Sequence, residues 1–292
     1  MKTSTEISVI SKLVGEEKAI EQIAAAGFDG WDFSMIDMWK CDWGKRIYTP
    51  TDHPLSQKDY LSFARRLRHI GEECGMICNQ SHAPFPFYCS EYEVMEDYLK
   101  RAIECTAIAG AEICIIHPDV YESAEKNTEM HMKLLPFAKE HGVKIATENM
   151  YSWNREKNES AFGACGTSAD FKKHLDLIND DFYVACLDIG HAEIMRDEAS
   201  AVDMILTLGD KLQSLHLHDC DKHFDTHDLP FTKDVDFDAI VSALKKINYK
   251  GWFTLEANGF TRVLTEDNYV AGLDELYKAA NKIEAMFEEV QL

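Results

Sequence analysis

Short β-branched or aromatic runs recur along the chain, each followed by a polar turn and then by a stretch whose apolar residues return every three or four positions. The runs are EISVIS from Glu6, GWDFSM from Gly30, GMICNQSH from Gly75, EICIIH from Glu112, KIATEN from Lys144, YVACLDIGH from Tyr183, LQSLHLHD from Leu212 and GWFTLEA from Gly251. Runs of this length and composition read as strands, and the stretches between them as amphipathic helices. In YLSFARRLRHIGEECG, Leu61, Ala64, Leu67 and Ile70 share one face and a glycine marks the exit. Eight such units with no Pro/Gly/Ser-rich linker between them predict an α/β protein, a single-domain (β/α)8 TIM barrel over residues 1–292. A doubly wound sheet has the same alternation, because periodicity does not register closure.

A barrel collects its functional side chains at the C-terminal ends of its strands, at one mouth. His82 ends the third run, His117 the fourth, Glu148 the fifth, Asp188 and His191 the sixth, His216 and His218 the seventh, and Glu256 the eighth. A carboxylate inside an apolar strand such as KIATEN or GWFTLEA is costly to desolvate without a cation or donors beside it. Taken singly, a strand-end Glu or His is ordinarily hydrogen-bonded or ion-paired. Taken together, Glu148, Asp188, His216 and Glu256 make a mixed oxygen and nitrogen set suited to Mn²⁺, Co²⁺, Zn²⁺ or Mg²⁺. In the run LHLHDCDKHFDTH, His216 and His218 point the same way by strand alternation, but His218 lies nearer the loop and reads as a support to the site or as solvated. The aromatic run WDFSMIDMWKCDW from Trp31 reads as core and loop packing, with a pocket wall as its alternative.

The composition excludes several classes. With 46% hydrophobic and 28% charged residues the chain is that of a soluble globular protein, and no apolar run approaches the roughly 20 residues of a membrane span. The N-terminus lacks the basic start and apolar middle of a secretory signal, so a cytoplasmic location is expected. Nine cysteines without a C-x-x-C pair read as buried reduced thiols. A formal charge of −21 sets the overall field against nucleic acid and anionic membrane, although a phosphate can still be held locally.

The ordered set HAPF at His82, HP at His117, ENM at Glu148, LDIGH at Asp188, HLHD at His216, DTH at Asp225 and LEA at Glu256 resembles the xylose isomerase-like TIM-barrel superfamily. That group holds sugar and sugar-phosphate isomerases and epimerases, ketose 3-epimerases, inosose dehydratases and abasic-site endonucleases. The resemblance to the epimerases implies Glu148, Asp188, His216 and Glu256 as ligands of one divalent ion, with Glu148 and Glu256 also as the proton-transfer pair. It places His191 at a substrate contact and Lys222 near a basic one, although a solvated loop lysine is the simpler reading of Lys222. The endonuclease pattern implies more, matching His82, His117, His191, Asp225 and His227 to the extra ligands of a three-metal cluster.

The expected function is therefore a divalent-metal-dependent isomerase or epimerase of a small sugar or sugar phosphate. It would abstract a proton next to a carbonyl through a metal-stabilised enediolate, with Glu148 and Glu256 as acid and base. A dehydratase acting on an oxidised sugar or inositol uses similar chemistry. The abasic-site endonuclease is the alternative from another class, but segments such as PDVYES and DKHFDTHDLPF carry no basic stripe for duplex DNA. A barrel kept for binding alone is a third alternative, opposed by the intact glutamate pair. The expected partner is a small carbohydrate, without nucleic acid or membrane, and self-association is left open. His216 is expected to hold the principal ion, while Asp225, His227 and His191 form a polar cluster beside it for a second ion or the substrate.

Overall fold

The structure, a computed structural model, describes residues 1–42, 45, 47–85, 92–194 and 200–291. Seven of the predicted runs contribute a parallel strand and an eighth strand ends where the run EISVIS begins: β1 (Thr3–Glu6), β2 (Gly30–Ser34), β3 (Ile77–His82), β4 (Ile113–Ile115), β5 (Lys144–Glu148), β6 (Tyr183–Asp188), β7 (Leu212–His216) and β8 (Phe253–Leu255). Their order in the sheet is β7-β6-β5-β4-β3-β2-β1-β8. A parallel bridge between Leu217 and Leu255 joins the two ends and closes the (β/α)8 barrel. Helices pack around the strands by one apolar side each, and Tyr60–Glu73 buries Phe63, Ala64 and Leu67. No helix among the described residues is long and apolar enough to cross a membrane.

The first strand departs from the sequence reading. It is TSTE, and of EISVIS only Glu6 belongs to it, because Ser8–Val14 is helical. Buried Ile7 and Ile10 lie three residues apart, a helical spacing, and the Glu6 carboxylate accepts the Ser8 backbone N–H at 2.8 Å where the chain turns.

Alternation along the strands divides the barrel interior. Ile115, Ala146, Val184 and Cys186 form a small apolar cluster separate from the main core. Opposite it, Ser4, Asp32, Gln80, Ser214 and Thr254 are buried and polar. Ser4 Oγ donates to Thr254 Oγ1 at 2.8 Å, and Ser214 Oγ to Gln80 Oε1 at 2.6 Å.

Beyond β7 the chain makes a long loop over the mouth, and Asp219 holds it. This buried carboxylate accepts the backbone N–H groups of Cys220 and Val235 at one oxygen and those of Thr232 and Lys233 at the other, all at 2.9–3.0 Å. Backbone bonds between Asp219 and Asp228 pin the middle of the loop, which carries Asp225 and His227. Truncation in Asp219→Ala strands those buried donors, so the variant is expected to lose roughly 3 kcal/mol of unfolding free energy. Denaturant unfolding checks this, and a loss below about 1 kcal/mol, the scale of one ordinary hydrogen bond, would show that the loop does not depend on Asp219.

Candidate metal centre and active-site cleft

Glu148, at the end of β5, stands at the centre of the mouth. Its Oε2 lies 3.2 Å from His117 Nε2 and its Oε1 3.3 Å from His216 Nδ1. Glu256 Oε2 approaches the same His216 nitrogen at 3.1 Å. Donor atoms of Glu148, Asp188, His216 and Glu256 all lie within 4.8 Å of one another. Four further sets among the described residues meet the same limit: His82, His117 and Glu148; Glu148, Cys186 and His216; Asp188, His218 and His227; and His191, Asp225 and His227. Glu148 belongs to three of these sets and Asp188 and His227 to two each, so the donors form one continuous band across the barrel top.

The strand-end backbone explains the placement. Asn149, following Glu148, bonds β5 to β6: its Nδ2 donates to Asp188 O and its Oδ1 accepts from Asp188 N, both at 2.8 Å. Asp188 Oδ1 then accepts the His191 N–H at 2.7 Å, capping the short helix Ile189–Glu193 that carries His191. Gly190 is required here because a Cβ would stand 1.9 Å from the His218 ring.

The histidines are oriented by carbonyl groups. His82 Nδ1 lies 2.9 Å from Ala83 O, His191 Nδ1 2.9 Å from Asn149 O, His218 Nδ1 3.2 Å from Asp219 O and His227 Nδ1 2.7 Å from Glu256 O. A carbonyl only accepts, so each Nδ1 carries hydrogen and each Nε2 turns into the cluster. There they meet other acceptors: His82 Nε2 faces His117 Nε2 at 2.8 Å, and His227 Nε2 faces Asp225 Oδ2 at 3.1 Å. Asp225 Oδ1 is buried with no hydrogen-bond partner among the described residues. Imidazoles fixed at one nitrogen by a carbonyl and directed by the other at carboxylates fit a divalent cation.

In the ion-free chain these groups perturb one another strongly. Burial pushes the Glu148 carboxyl upward, but His216 and His117 outweigh it and hold it well below its usual range. Glu256 goes the other way, as burial raises it to about 8 against the pull of His216 and His227. Asp188 is lowered to about 2, against its burial, by His191 and His218. His227 is raised to about 10, against its burial, by Asp225. Burial and the neighbouring His117 lower His82 to about 3.

These shifts fix a sign for stability. Glu256 rises from 4.5 to about 8, so between those values the folded chain keeps a proton that the unfolded chain has released, and stability falls as the pH climbs. His227, raised from 6.5 to about 10, contributes stability that is complete below 6.5 and is lost as the pH rises through 10. Chelated protein is therefore expected to melt at a lower temperature at pH 8 than at pH 6.5, the window where both effects act. Thermal melts at the two pH values check it, and a higher melting temperature at the upper pH would contradict these shifts.

Above the donors lies a cleft of about 360 Å³, within the range of small-ligand sites. Phe85, Val120, Tyr121, Met150, Tyr151 and Trp153 wall it, and His117, Glu148, His191, Asp225, His227 and Glu256 reach it from below. Tyr151 and Trp153 come from a hairpin of Tyr151–Asn154 and Glu159–Phe162, and the Trp153 ring stacks on Phe224 of the long loop at 5.7 Å. A larger cavity of about 680 Å³ opens at the opposite mouth, around strand starts such as Ile77 and Lys144, and holds none of the clustered donors.

Glu148, Asp188, His216, Glu256, His82, His117, His191, Asp225 and His227 are thus brought together. Lys222 is not: its Nζ pairs with Glu193 Oε2 at 3.0 Å, and it does not line the cleft. His218 is fully buried, with Nε2 3.0 Å from Asp188 Oδ1, so the solvated alternative for it is wrong. In the aromatic run from Trp31, Trp31 is core and Trp39 stacks on Tyr48 at 4.0 Å, while Trp43 lies outside the described residues. The cleft's aromatics come from elsewhere. Sequence reasoning passed over Asn149, Tyr151 and Trp153, and also two inward carboxylates. Glu6, at the end of β1, is raised to about 7 by burial and Asp32, and Asp32 lies in β2 beneath His216. A carboxylate within a strand was the available signal for both.

Comparison with known proteins agrees with this architecture. A putative L-ribulose-5-phosphate 3-epimerase of Haemophilus influenzae is 28% identical over 191 residues, 62% of this chain and 64% of that protein. An L-ribulose 3-epimerase of Methylomonas sp. is 22% identical over 255 residues, 83% and 78% of the two chains. The chain spans 60% and 64% of the length of two of the curated relatives it matches. The crystal structure of a D-tagatose 3-epimerase-like protein superposes with a TM-score of 0.71 at 18% identity, covering 98% of this chain and 99% of that one. The family model described as xylose isomerase-like TIM barrel matches residues 20–279, so the chain belongs to the xylose isomerase-like TIM-barrel family.

Proposed function

We propose that this protein is a divalent-metal-dependent epimerase that inverts a small ketose at the carbon next to its carbonyl. The observation that carries the reading is the glutamate pair: Glu148 and Glu256, from strands on different sides of the mouth, both reach His216 Nδ1, and both open into the cleft. The names of the relatives support it, since those described above are ketose 3-epimerases or resemble one.

Glu148, Asp188, His216 and Glu256 would hold the principal ion, whose identity among Mn²⁺, Co²⁺, Zn²⁺ and Mg²⁺ the donor set leaves open. When bound, a divalent ion supplies Lewis-acid polarisation of a carbonyl. The chain's own residues do the rest. Glu148, at the centre of the mouth and open to the cleft, is suited to take the proton from carbon. Glu256, which opens into the cleft from the other side, is suited to return one. His191, whose Nε2 lies 3.5 Å from Asp225 Oδ2, lines the cleft and would contact a substrate held there. Tyr151 and Trp153 keep water from the reacting carbon and offer flat apolar faces to a sugar ring or chain. His82 and His117 with Glu148 on one side, and Asp225 and His227 on the other, would hold a second ion or orient the substrate. A charge of −21 opposes docking of duplex DNA on this mouth and disfavours the endonuclease alternative.

A panel of free and phosphorylated ketoses, incubated with protein of measured metal content, tests the proposal. One or more should be epimerised in a reaction that chelator stops and added Mn²⁺ or Co²⁺ restores. Turnover persisting in thoroughly chelated protein would sink the metal reading.

A further inference from the structure

Beneath the proposed metal ligands, the polar side of the barrel interior ends in an arrangement that the proposed chemistry has not used. Asp32 is fully buried on β2, in register with Glu6 of β1 and Gln80 of β3. One of its oxygens, Oδ2, accepts from Gln80 Nε2 at 2.8 Å and lies 3.2 Å from His216 Nε2. The other, Oδ1, is buried without a hydrogen-bond partner among the described residues.

The Gln80 amide has a fixed direction. Its Oε1 accepts from Ser214 Oγ at 2.6 Å and Thr254 Oγ1 at 3.3 Å, so its nitrogen must point at Asp32. Asp32 Oδ2 is thereby anchored as an acceptor directly under the His216 ring. A nitrogen facing that acceptor carries the hydrogen, so His216 Nε2–H donates downward. In the ion-free chain Nδ1 also faces acceptors, Glu148 Oε1 at 3.3 Å and Glu256 Oε2 at 3.1 Å, and carries a hydrogen as well; when a cation takes that hydrogen's place, Nε2–H stays on Asp32 and Nδ1 is the nitrogen left to bind it.

We propose that Asp32 is a positioning residue for the metal centre: it fixes the tautomer and tilt of His216 so that Nδ1 is the ligand nitrogen, and its charge strengthens that nitrogen as a donor. The inference rests on the metal reading of the mouth. A buried carboxylate with one unpaired oxygen costs stability, and a ligand imidazole paired with a carboxylate gives that cost a purpose.

The geometry supplies its own test. Since one oxygen makes both contacts and the other makes none, an asparagine fits with its Oδ1 in the place of Asp32 Oδ2 and its amide nitrogen at the unpaired position. Asp32→Asn therefore removes charge while keeping shape. Competition of the metal-free protein with a chromogenic chelator for Co²⁺ should show the variant binding about 10- to 100-fold more weakly than the wild type. Its metal-free melting temperature should match or exceed the wild-type value, which a purely structural role for Asp32 would lower. A folded Asp32→Asn protein with wild-type Co²⁺ affinity would overturn the inference. A measurement on the unaltered chain covers a variant that fails to fold. In Zn²⁺-loaded protein with ¹⁵N-labelled histidine, long-range ¹H–¹⁵N correlation should place the His216 proton on Nε2, and a proton on Nδ1 would overturn the proposal. A wild-type chain that takes up no Co²⁺ would instead overturn the metal reading itself, and with it this role, a failure visible before any variant is compared.

Discussion

Glu148→Gln is expected to lower turnover by about 10²- to 10⁴-fold, the range for loss of a proton-transfer group. Glutamine keeps the size of the side chain and one oxygen, but it cannot take a proton from carbon and is a weaker ligand. Glu148 is also the donor shared between the set with His82 and His117 and the set with Asp188, His216 and Glu256, so both halves of the band lose a charge together. Glu256→Gln should cost turnover over the same range of roughly 10² to 10⁴, because it removes the partner on the other side of the substrate. The two variants should differ in metal content. Glu256 belongs to one donor set and keeps a partly exposed side chain, whereas Glu148 is buried and belongs to three, so Glu148→Gln should lose more ion. Steady-state kinetics with metal analysis checks both. Near wild-type turnover in either variant would end the two-base mechanism.

The second large effect separates two histidines of the LHLHDCDKHFDTH run. His216→Ala removes the nitrogen that both glutamates approach and leaves Asp32 with Gln80 as its remaining donor, so the principal ion and essentially all turnover should be lost. His227→Ala removes a side chain that faces Asp225 and the cleft, and whose backbone site is held by the loop's own bonds. That variant should keep the principal ion and lose mainly substrate binding or rate. Equal loss of the principal ion in both variants would mean that the run acts as one cooperative cluster.

Much of this architecture was legible because strand alternation and strand ends are local properties of a sequence. KIATEN and YVACLDIGH show their acids against an apolar background, and a barrel needs no further information to bring such ends to one mouth. What escaped depends on partners distant in the chain. Asp32 and His216 are 184 positions apart, so nothing near GWDFSM shows what its carboxylate meets. His218 read either as a support to the site or as solvated, and the partner that decides for the first, Asp188, lies 30 positions earlier. Lys222 faces Glu193, a choice fixed by how the loop folds back. The aromatic run from Trp31 packs in the core, as read, with Trp31 and Trp39 buried, whereas the cleft walls went unlocated because the hairpin bearing Tyr151 and Trp153 reaches the mouth beside Phe224 of a loop far along the chain. EISVIS was misread as a strand since six residues of mixed polarity fit either period when one glutamate can end a strand and bond the helix that follows.

The central claim is that Glu148 and Glu256, around a bound divalent ion, move a proton at the carbon beside a ketose carbonyl. Solvent exchange reads that step directly, even for a substrate whose net conversion is slow. Mn²⁺-loaded protein incubated in D₂O with three ketoses, D-tagatose, D-psicose and L-ribulose, should place deuterium at C3 of at least one of them and form its C3 epimer. The label should vanish with chelator and in Glu148→Gln. Metal-loaded, folded protein that leaves C3 unlabelled in all three sugars and their phosphates would contradict the account.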